Sequence, residues 1–186
     1  MGKIFIISGP SGAGEDSVID GLSNLFPIER VITTTTRNMR PGESDGNPYH
    51  FISKDAFMDG IKAGKFIEFA QQYNGNFYGV TADEFTRVGS SKKIGIWKIE
   101  YKGVISVKKR FSDIIAIFLM AENLAVLESR IKNRDNLGES YVKDRMKYTE
   151  EWLKYEDIYD FKVINRQGHL DTAVNEIAEI IKRHLR

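Results

Sequence analysis

Lys3 to Leu22 reads KIFIISGPSGAGEDSVIDGL, and the reading of this stretch decides the fold. Ile4, Phe5, Ile6 and Ile7 form an unbroken apolar run ending at a glycine-rich turn, the pattern of a buried parallel strand handing over to a helix. Gly9, Gly12 and Gly14 permit a loop whose backbone N–H groups all point inward. A helix predicted from about Asp16 to Leu25 then adds the positive end of its dipole. Such a loop cradles phosphate.

Gly9 and Gly14 have the spacing Gly-x-x-x-x-Gly of the P-loop, but that motif continues with Lys and then Ser or Thr, whereas Glu15 and Asp16 follow here. The anion nest is kept and its cation is missing. Glycine-rich strand-to-helix turns also serve as plain connections in open α/β sheets, so the loop alone leaves both readings open.

The chain has 186 residues, 41% hydrophobic and 28% charged, which suits one globular domain with insertions. Its 27 basic and 26 acidic residues nearly cancel, giving no global field for nucleic acid or an anionic membrane, so any anion site must be local. With no cysteine there is no disulfide or thiolate chemistry, and the lack of a signal peptide or a membrane-spanning apolar run leads us to expect a cytoplasmic protein. His50, His169 and His184 lack metal-ligand spacing, and no structural metal is assigned.

Working outward from the first helix, Ile28 to Ile32 is a short strand, and TTTTRNMRPGESDGNPYHF has no period and reads as one long loop. Four threonines, Arg37, Arg40 and Tyr49 in it can all hydrogen-bond a phosphate; the plainer reading is a solvated connection. Ser53 to Ile61 is a short helix, and FIEFAQQYNGNFYGV, with Asn74-Gly75 between aromatic runs, is a hairpin. Thr33 to Val80 is thus expected to be a small lobe of antiparallel pieces and one helix, inserted into an α/β core. Ile94 to Glu100, Ile114 to Ala121 and Phe161 to Asn165 are further strands. Helices are expected at Gly103 to Phe111, Asn123 to Arg134, Ser140 to about Asp157 and His169 to Leu185. Apolar strands alternating with helices argue for a parallel sheet covered on both faces. Arg130, Arg134 and Arg145 flank the turn at Asp135 to Glu139, where arginines are ordinarily solvated or complement a helix C-terminus.

ISGPSGAG, TTTTRNMRPGE, FIEFAQ, GNFYG, IEYKGVISVKK, SRIKNR and KVIN, in this order, resemble the guanylate kinases among the P-loop nucleoside monophosphate kinases. The resemblance runs almost end to end. It implies a three-layer P-loop core (residues 1–32 and 81–186) with a helical lid at about 126–145, and a GMP-binding lobe at 33–80. It implies transfer of the γ-phosphoryl of ATP to GMP with Mg²⁺. Thr33, Arg37, Arg40, Tyr49 and Tyr78 match the clamp on the GMP phosphate, to which the planar forks of arginine are suited. Guanine offers N1–H and N2–H donors on one edge, and Glu68 and Glu100 match its carboxylate acceptors. Gly9, Gly12, Ala13, Gly14, Glu15, Asp16, Ser17 and Asn165 fall on the ATP-binding positions. Arg130, Arg134 and Arg145 match arginines that neutralise the transferred phosphoryl, and the two lid arginines, Arg130 and Arg134, are expected to lack partners until a triphosphate arrives.

The departures are not conservative. Glu15 replaces the P-loop lysine, Asp16 the Mg²⁺-binding hydroxyl, Val80 a hydroxyl of the guanine pocket, and Lys98 an acidic residue on the strand leading to Glu100. A carboxylate about 5 Å from a phosphate charge, at an effective dielectric near 20, is unfavourable by roughly 3 kcal/mol where a lysine is favourable by as much. Three readings follow: a guanylate kinase with a rearranged phosphate site, a module that binds GMP or a phospho-ligand without transferring phosphate, or a kinase for another monophosphate, which Glu68 and Glu100 oppose and Val80 favours. None calls for nucleic acid or membrane, and a monomer or weak dimer is expected. Lys98, on the same strand face as Glu100, is expected to pair with Glu15 or to stand in for the missing cation, conserving the summed charge.

Overall fold

The computed structural model describes residues 3–72, 75–135 and 138–185, the side chains of residues 134 and 135 excepted. The chain begins with β1 (Ile4–Ser8), α1 (Glu15–Ser23) and β2 (Ile28–Arg30). Then come β3 (Thr33–Thr35), β4 (Ser44–Asp45), β5 (Pro48–Phe51), α2 (Lys54–Lys62), β6 (Phe66–Gln71) and β7 (Phe77–Thr81). It continues with α3 (Ala82–Gly89), β8 (Ile94–Trp97), α4 (Tyr101–Arg110), β9 (Ile115–Met120), α5 (Leu124–Asp135), α6 (Glu139–Leu153), β10 (Phe161–Ile164) and α7 (Leu170–Leu185).

The first sheet has the order β10-β9-β1-β8-β2, every pairing parallel, with β1 at its centre. Successive side chains of a strand point to opposite faces, so the apolar run of β1 feeds two cores. Phe5 and Ile7 pack with Val18, Leu22, Val174 and Ile177 of α1 and α7; Ile4 and Ile6 pack with Trp97, Val104 and Val107 of β8 and α4. Each such side chain, fully buried, contributes roughly 1.5–3 kcal/mol. The helices α1 and α7 approach closely enough that a Cβ on Gly21 would lie 2.6 Å from Val174 Cγ2.

The second sheet, β4-β5-β3-β7-β6, is built from residues 33–81. The stretch read as one long loop contains three of its strands, and Thr33, Thr34 and Thr35 are a buried β3 rather than a solvated connection. Threonine is β-branched and fits a strand; without period-2 alternation, its run gave no strand signal. Antiparallel β6 and β7 form the expected hairpin, although Asn74 at its tip lies outside the described residues. Ser53 caps α2 by accepting the Ala56 N–H at 3.1 Å. The two sheets are tied by Glu84 of α3, whose Oε1 accepts the Ile32 N–H at 2.7 Å while its carboxylate holds Arg87.

Two boundaries matter for the site. β8 ends at Trp97, so Lys98 and Glu100 lie in the connection to α4 and not on a strand. Helix α6 stops at Leu153, and a single 3-10 turn at Glu156–Ile158 carries the chain into β10.

Candidate active site

A cleft of about 660 Å³ opens between the two sheets. Gly9, Glu15 and Asp16 line it from the glycine loop and α1; Thr33, Arg37, Arg40, Tyr49, Glu68 and Tyr78 from the second sheet; Lys98, Glu100 and Arg145 from the connection after β8 and from α6. Gly12, Gly14, Ser17, Arg130 and Asn165 instead share a groove of about 370 Å³ that borders the same loop. Ala13 is fully buried, and its carbonyl accepts the Asn165 side-chain N–H at 2.8 Å. The Arg134 side chain lies outside the described residues.

In the second sheet the Arg37 guanidinium is held by both oxygens of Glu43, at 2.8 and 3.0 Å, and lies 5.4 Å from the ring centres of Tyr49 and Phe51. Tyr49 meets Tyr78 edge-on at 5.9 Å. Glu43 also accepts the Arg40 N–H at 2.8 Å, and the Arg37 guanidinium lowers the Glu43 pKa, keeping it ionised. A planar, doubly anchored guanidinium beside two phenols has a fixed fork geometry that suits an oxyanion.

Deeper in the cleft, Glu68 is 6% exposed. Burial, and then the charge of Glu100, push its pKa up to about 8. Gly103 makes the room: a Cβ there would come within 2.8 Å of Glu68 Oε1. Glu100 accepts hydrogen bonds from Gln72 Nε2 and the Tyr148 hydroxyl, which fix the orientation of its carboxylate. Val80 is fully buried among Ile6, Trp97 and Val104, opposite Glu68 in the β6–β7 pairing, and is not among the residues that line the cleft.

The glycine loop has Gly12 and Gly14 at φ of 88° and 95°, a left-handed backbone that suits glycine, and a Cβ on Gly9 would sit 2.2 Å from the Leu119 carbonyl oxygen. Glu15 and Asp16 form the first turn of α1, where carboxylates complement the helix dipole. The Lys98 ammonium lies 2.8 Å from both oxygens of Asp16, and Arg30 lies 3.6 Å from the same carboxylate. The ion pair of Lys98 is therefore with Asp16, and Glu15 acts on it through its charge. Glu15, Asp16 and Lys98 sum to −1 rather than to the conserved zero, because Asp16 is a carboxylate where a neutral hydroxyl was expected.

Arg130 also departs from expectation. Its guanidinium donates to the carbonyls of Gly12 and Asn165 at 3.2 and 2.9 Å and to Gln167 Oε1 at 3.1 Å, so it is already engaged on the loop backbone and does not wait for a ligand. Arg145 lines the main cleft, its guanidinium 5.1 Å from the Tyr141 ring centre and its Nε donating to the Tyr141 hydroxyl at 3.1 Å.

The sequence profile of the guanylate kinase family matches residues 1–184. The chain belongs to this family. It is 34% identical over 182 residues to the guanylate kinase of Alcanivorax borkumensis, covering 97% of this chain and 86% of that one. The guanylate kinase of Hydrogenovibrio crunogenus is 34% identical over 180 residues, 96% and 86% of the two chains. The crystal structure of guanylate kinase from Anaplasma phagocytophilum superposes with a TM-score of 0.76 at 22% identity, covering 98% of this chain and 85% of that one, and shows that the fold is shared.

Sequence reasoning missed several residues that shape this family site. Glu43 sits in the same block as Arg37 and Arg40, and an acidic residue so close to two arginines was the signal for it. Gln72, Gly103 and Tyr148 meet Glu100 or Glu68 only through the fold, and nothing local in the sequence marks them.

Proposed function

We propose that this chain moves the γ-phosphoryl of ATP to GMP, giving ADP and GDP. The observation that carries the reading is the shared cleft: a buried and a half-buried glutamate, a carboxylate-anchored arginine and a glycine loop all face one cavity. The carboxyl oxygens of Glu68 and Glu100 accept from the N1–H and N2–H edge of guanine, a match that adenine cannot make. Arg37, Arg40, Tyr49 and Tyr78 hold the acceptor phosphate, and the loop amides hold the donor. Phosphoryl transfer needs little more from a protein than alignment and neutralisation of spreading charge, which Arg145 and Lys98 are placed to supply.

ATP and Mg²⁺ are the co-substrate and ion this reading requires. Among the described residues no cluster of three or more His, Asp or Glu could hold a metal alone. The donor set fits Mg²⁺ as an ion carried on ATP phosphates and water, a mode that needs no dedicated protein cage, since both Asp16 oxygens are taken by Lys98. Bound there, Mg²⁺ would withdraw charge from the phosphates. The same reading has a cytoplasmic enzyme, in keeping with a cysteine-free chain, acting as a monomer or weak dimer with GMP and ATP as its ligands.

The test is a coupled assay of ADP formation with ATP and each of GMP, dGMP, AMP, CMP and UMP. Turnover is expected with GMP and dGMP alone. GMP binding without ADP formation would instead identify a binding module.

A further inference from the structure

Lys98 and Asp16 meet from segments 82 residues apart. Strand β8 lies beside β1 in parallel register with Trp97 opposite Ile6, so the chain after Trp97 leaves the sheet at the level where β1 runs into the glycine loop. Neighbouring strands are about 4.8 Å apart, a gap that a lysine stem spans easily. The ammonium ends 2.8 Å from both Asp16 oxygens, in the first turn of α1.

The Lys98 side chain is 31% exposed, and its head lines the cleft together with Gly9, Ser11 and Tyr49. Burial alone would lower its pKa, but Tyr49, Asp16 and Glu15 outweigh burial and raise it, so the head stays charged. An ammonium has three N–H donors. The two Asp16 oxygens occupy two of them and leave one for a phosphate oxygen. Tyr49 belongs to the acceptor clamp and Asp16 to the donor loop, so the charge stands between the halves of the cleft that the transferred group must cross.

We propose that Lys98 is the phosphate-binding cation of this site, supplying from the end of β8 the contact that the residue after Gly14 supplies in an ordinary P-loop, with Asp16 as the positioning residue that aims it. The proposal rests on the kinase reading above. It accounts for three substitutions together: the lysine has left position 15, a lysine has arrived at 98, and a carboxylate at 16 holds it where a hydroxyl would not.

The test uses the parent, Lys98→Met, Glu15→Lys and the double variant, each titrated by calorimetry with MgATP and separately with GMP, and assayed for ADP formation in the presence of GMP. Lys98→Met should weaken ATP binding at least tenfold and GMP binding less than threefold. Glu15→Lys should restore ATP binding at least tenfold in the Lys98→Met background and much less in the parent, a rescue that a merely structural lysine would not allow. Asp16→Asn removes a negative charge while slackening the aim, so kcat should fall at least fivefold with no rise in KM for ATP; an unchanged kcat overturns the positioning role. If Lys98→Met does not fold, Lys98→Gln is read in its place. A parent with no ATP-dependent phosphorylation of GMP overturns the kinase reading and this proposal with it. An active parent whose Lys98→Met variant binds ATP as tightly, or loses GMP instead of ATP, overturns the Lys98 assignment alone.

Discussion

In both halves of the cleft a carboxylate holds a cation, but the halves are built differently. Arg37 and Glu43 lie six residues apart in one connection, both side chains less than a fifth exposed, with two parallel hydrogen bonds and two aromatic rings around the guanidinium. Lys98 and Asp16 come from different elements, and the Asp16 side chain is 64% exposed. A local, shielded, bidentate pair keeps its geometry whatever the rest of the chain does. A pair assembled across the sheet depends on register and on solvent screening. The acceptor half therefore tolerates little change in its residues, whereas the donor half can receive its charge from any neighbouring element that reaches the loop.

The largest effect that would break this contrast is on the local pair. Arg37→Ala removes a charged partner and leaves Glu43 with the Arg40 N–H but no guanidinium, at an expected cost of about 1.5–3 kcal/mol in GMP binding, or roughly 10- to 150-fold. ATP affinity, measured by the same calorimetry, should move by less than threefold. An equal loss of both would mean that the halves are not independent.

Next in size is a pH effect confined to the acceptor half. Glu68, with its pKa pushed up to about 8 by burial and then by Glu100, is mostly protonated at pH 7 in the free protein, while guanine needs the ionised acceptor. GMP affinity should rise about tenfold from pH 6.5 to 8 and level off above, and Glu68→Gln should abolish the rise. AMP, which lacks the N1–H and N2–H donors, should show no such slope. Stability follows the same linkage. The folded-state pKa is raised, so the folded protein binds more protons than the unfolded one between the ordinary carboxylate value of 4.5 and about 8. Tm should fall as pH rises through that window, less steeply in Glu68→Gln.

A smaller effect tests how far Glu43 serves by charge and how far by geometry. Glu43→Gln keeps one neutral hydrogen bond to Arg37 and loses the second. GMP affinity should drop only about threefold to tenfold, well short of Arg37→Ala, because the rings of Tyr49 and Phe51 still hold the guanidinium.

How much of this was legible in the chain follows the same division. The strand Ile4–Ser8, the glycine turn and the alternation of apolar strands with helices were readable because burial on both faces leaves unbroken hydrophobic runs. β3 was not, because a run of four threonines carries no period and its pairing with β5 and β7 is set by tertiary contact. Thr33, Arg37, Arg40, Tyr49 and Tyr78 were named from their blocks and do line one cleft. Lys98 was placed in the cleft from a strand argument although β8 stops one residue before it; the position held because the connection continues along the loop edge. Its partner was misassigned, since spacing along a helix cannot say which of two adjacent carboxylates turns toward β8. Arg130 was read as waiting for a ligand because carbonyl acceptors on a folded loop leave no trace in sequence.

The smallest effect separates the two cations near Asp16. Arg30 approaches that carboxylate at 3.6 Å and Asp20 at 2.6 Å, with side-chain exposures of 43% for Arg30, 64% for Asp16 and 74% for Asp20, and it does not line the cleft. Ion pairs this open are worth about 0.2–1 kcal/mol and are screened by salt. If Asp16 merely collected positive charge, Arg30 and Lys98 would be interchangeable, and Arg30→Ala would weaken ATP binding about as much as Lys98→Met. If position relative to the loop decides, Arg30→Ala should leave ATP affinity within about threefold, shift Tm by no more than a few degrees, and lose even that effect at 0.5 M salt, where the Debye length is about 4 Å. A tenfold loss of ATP binding in Arg30→Ala would show that the donor half works by summed charge rather than by one aimed ammonium.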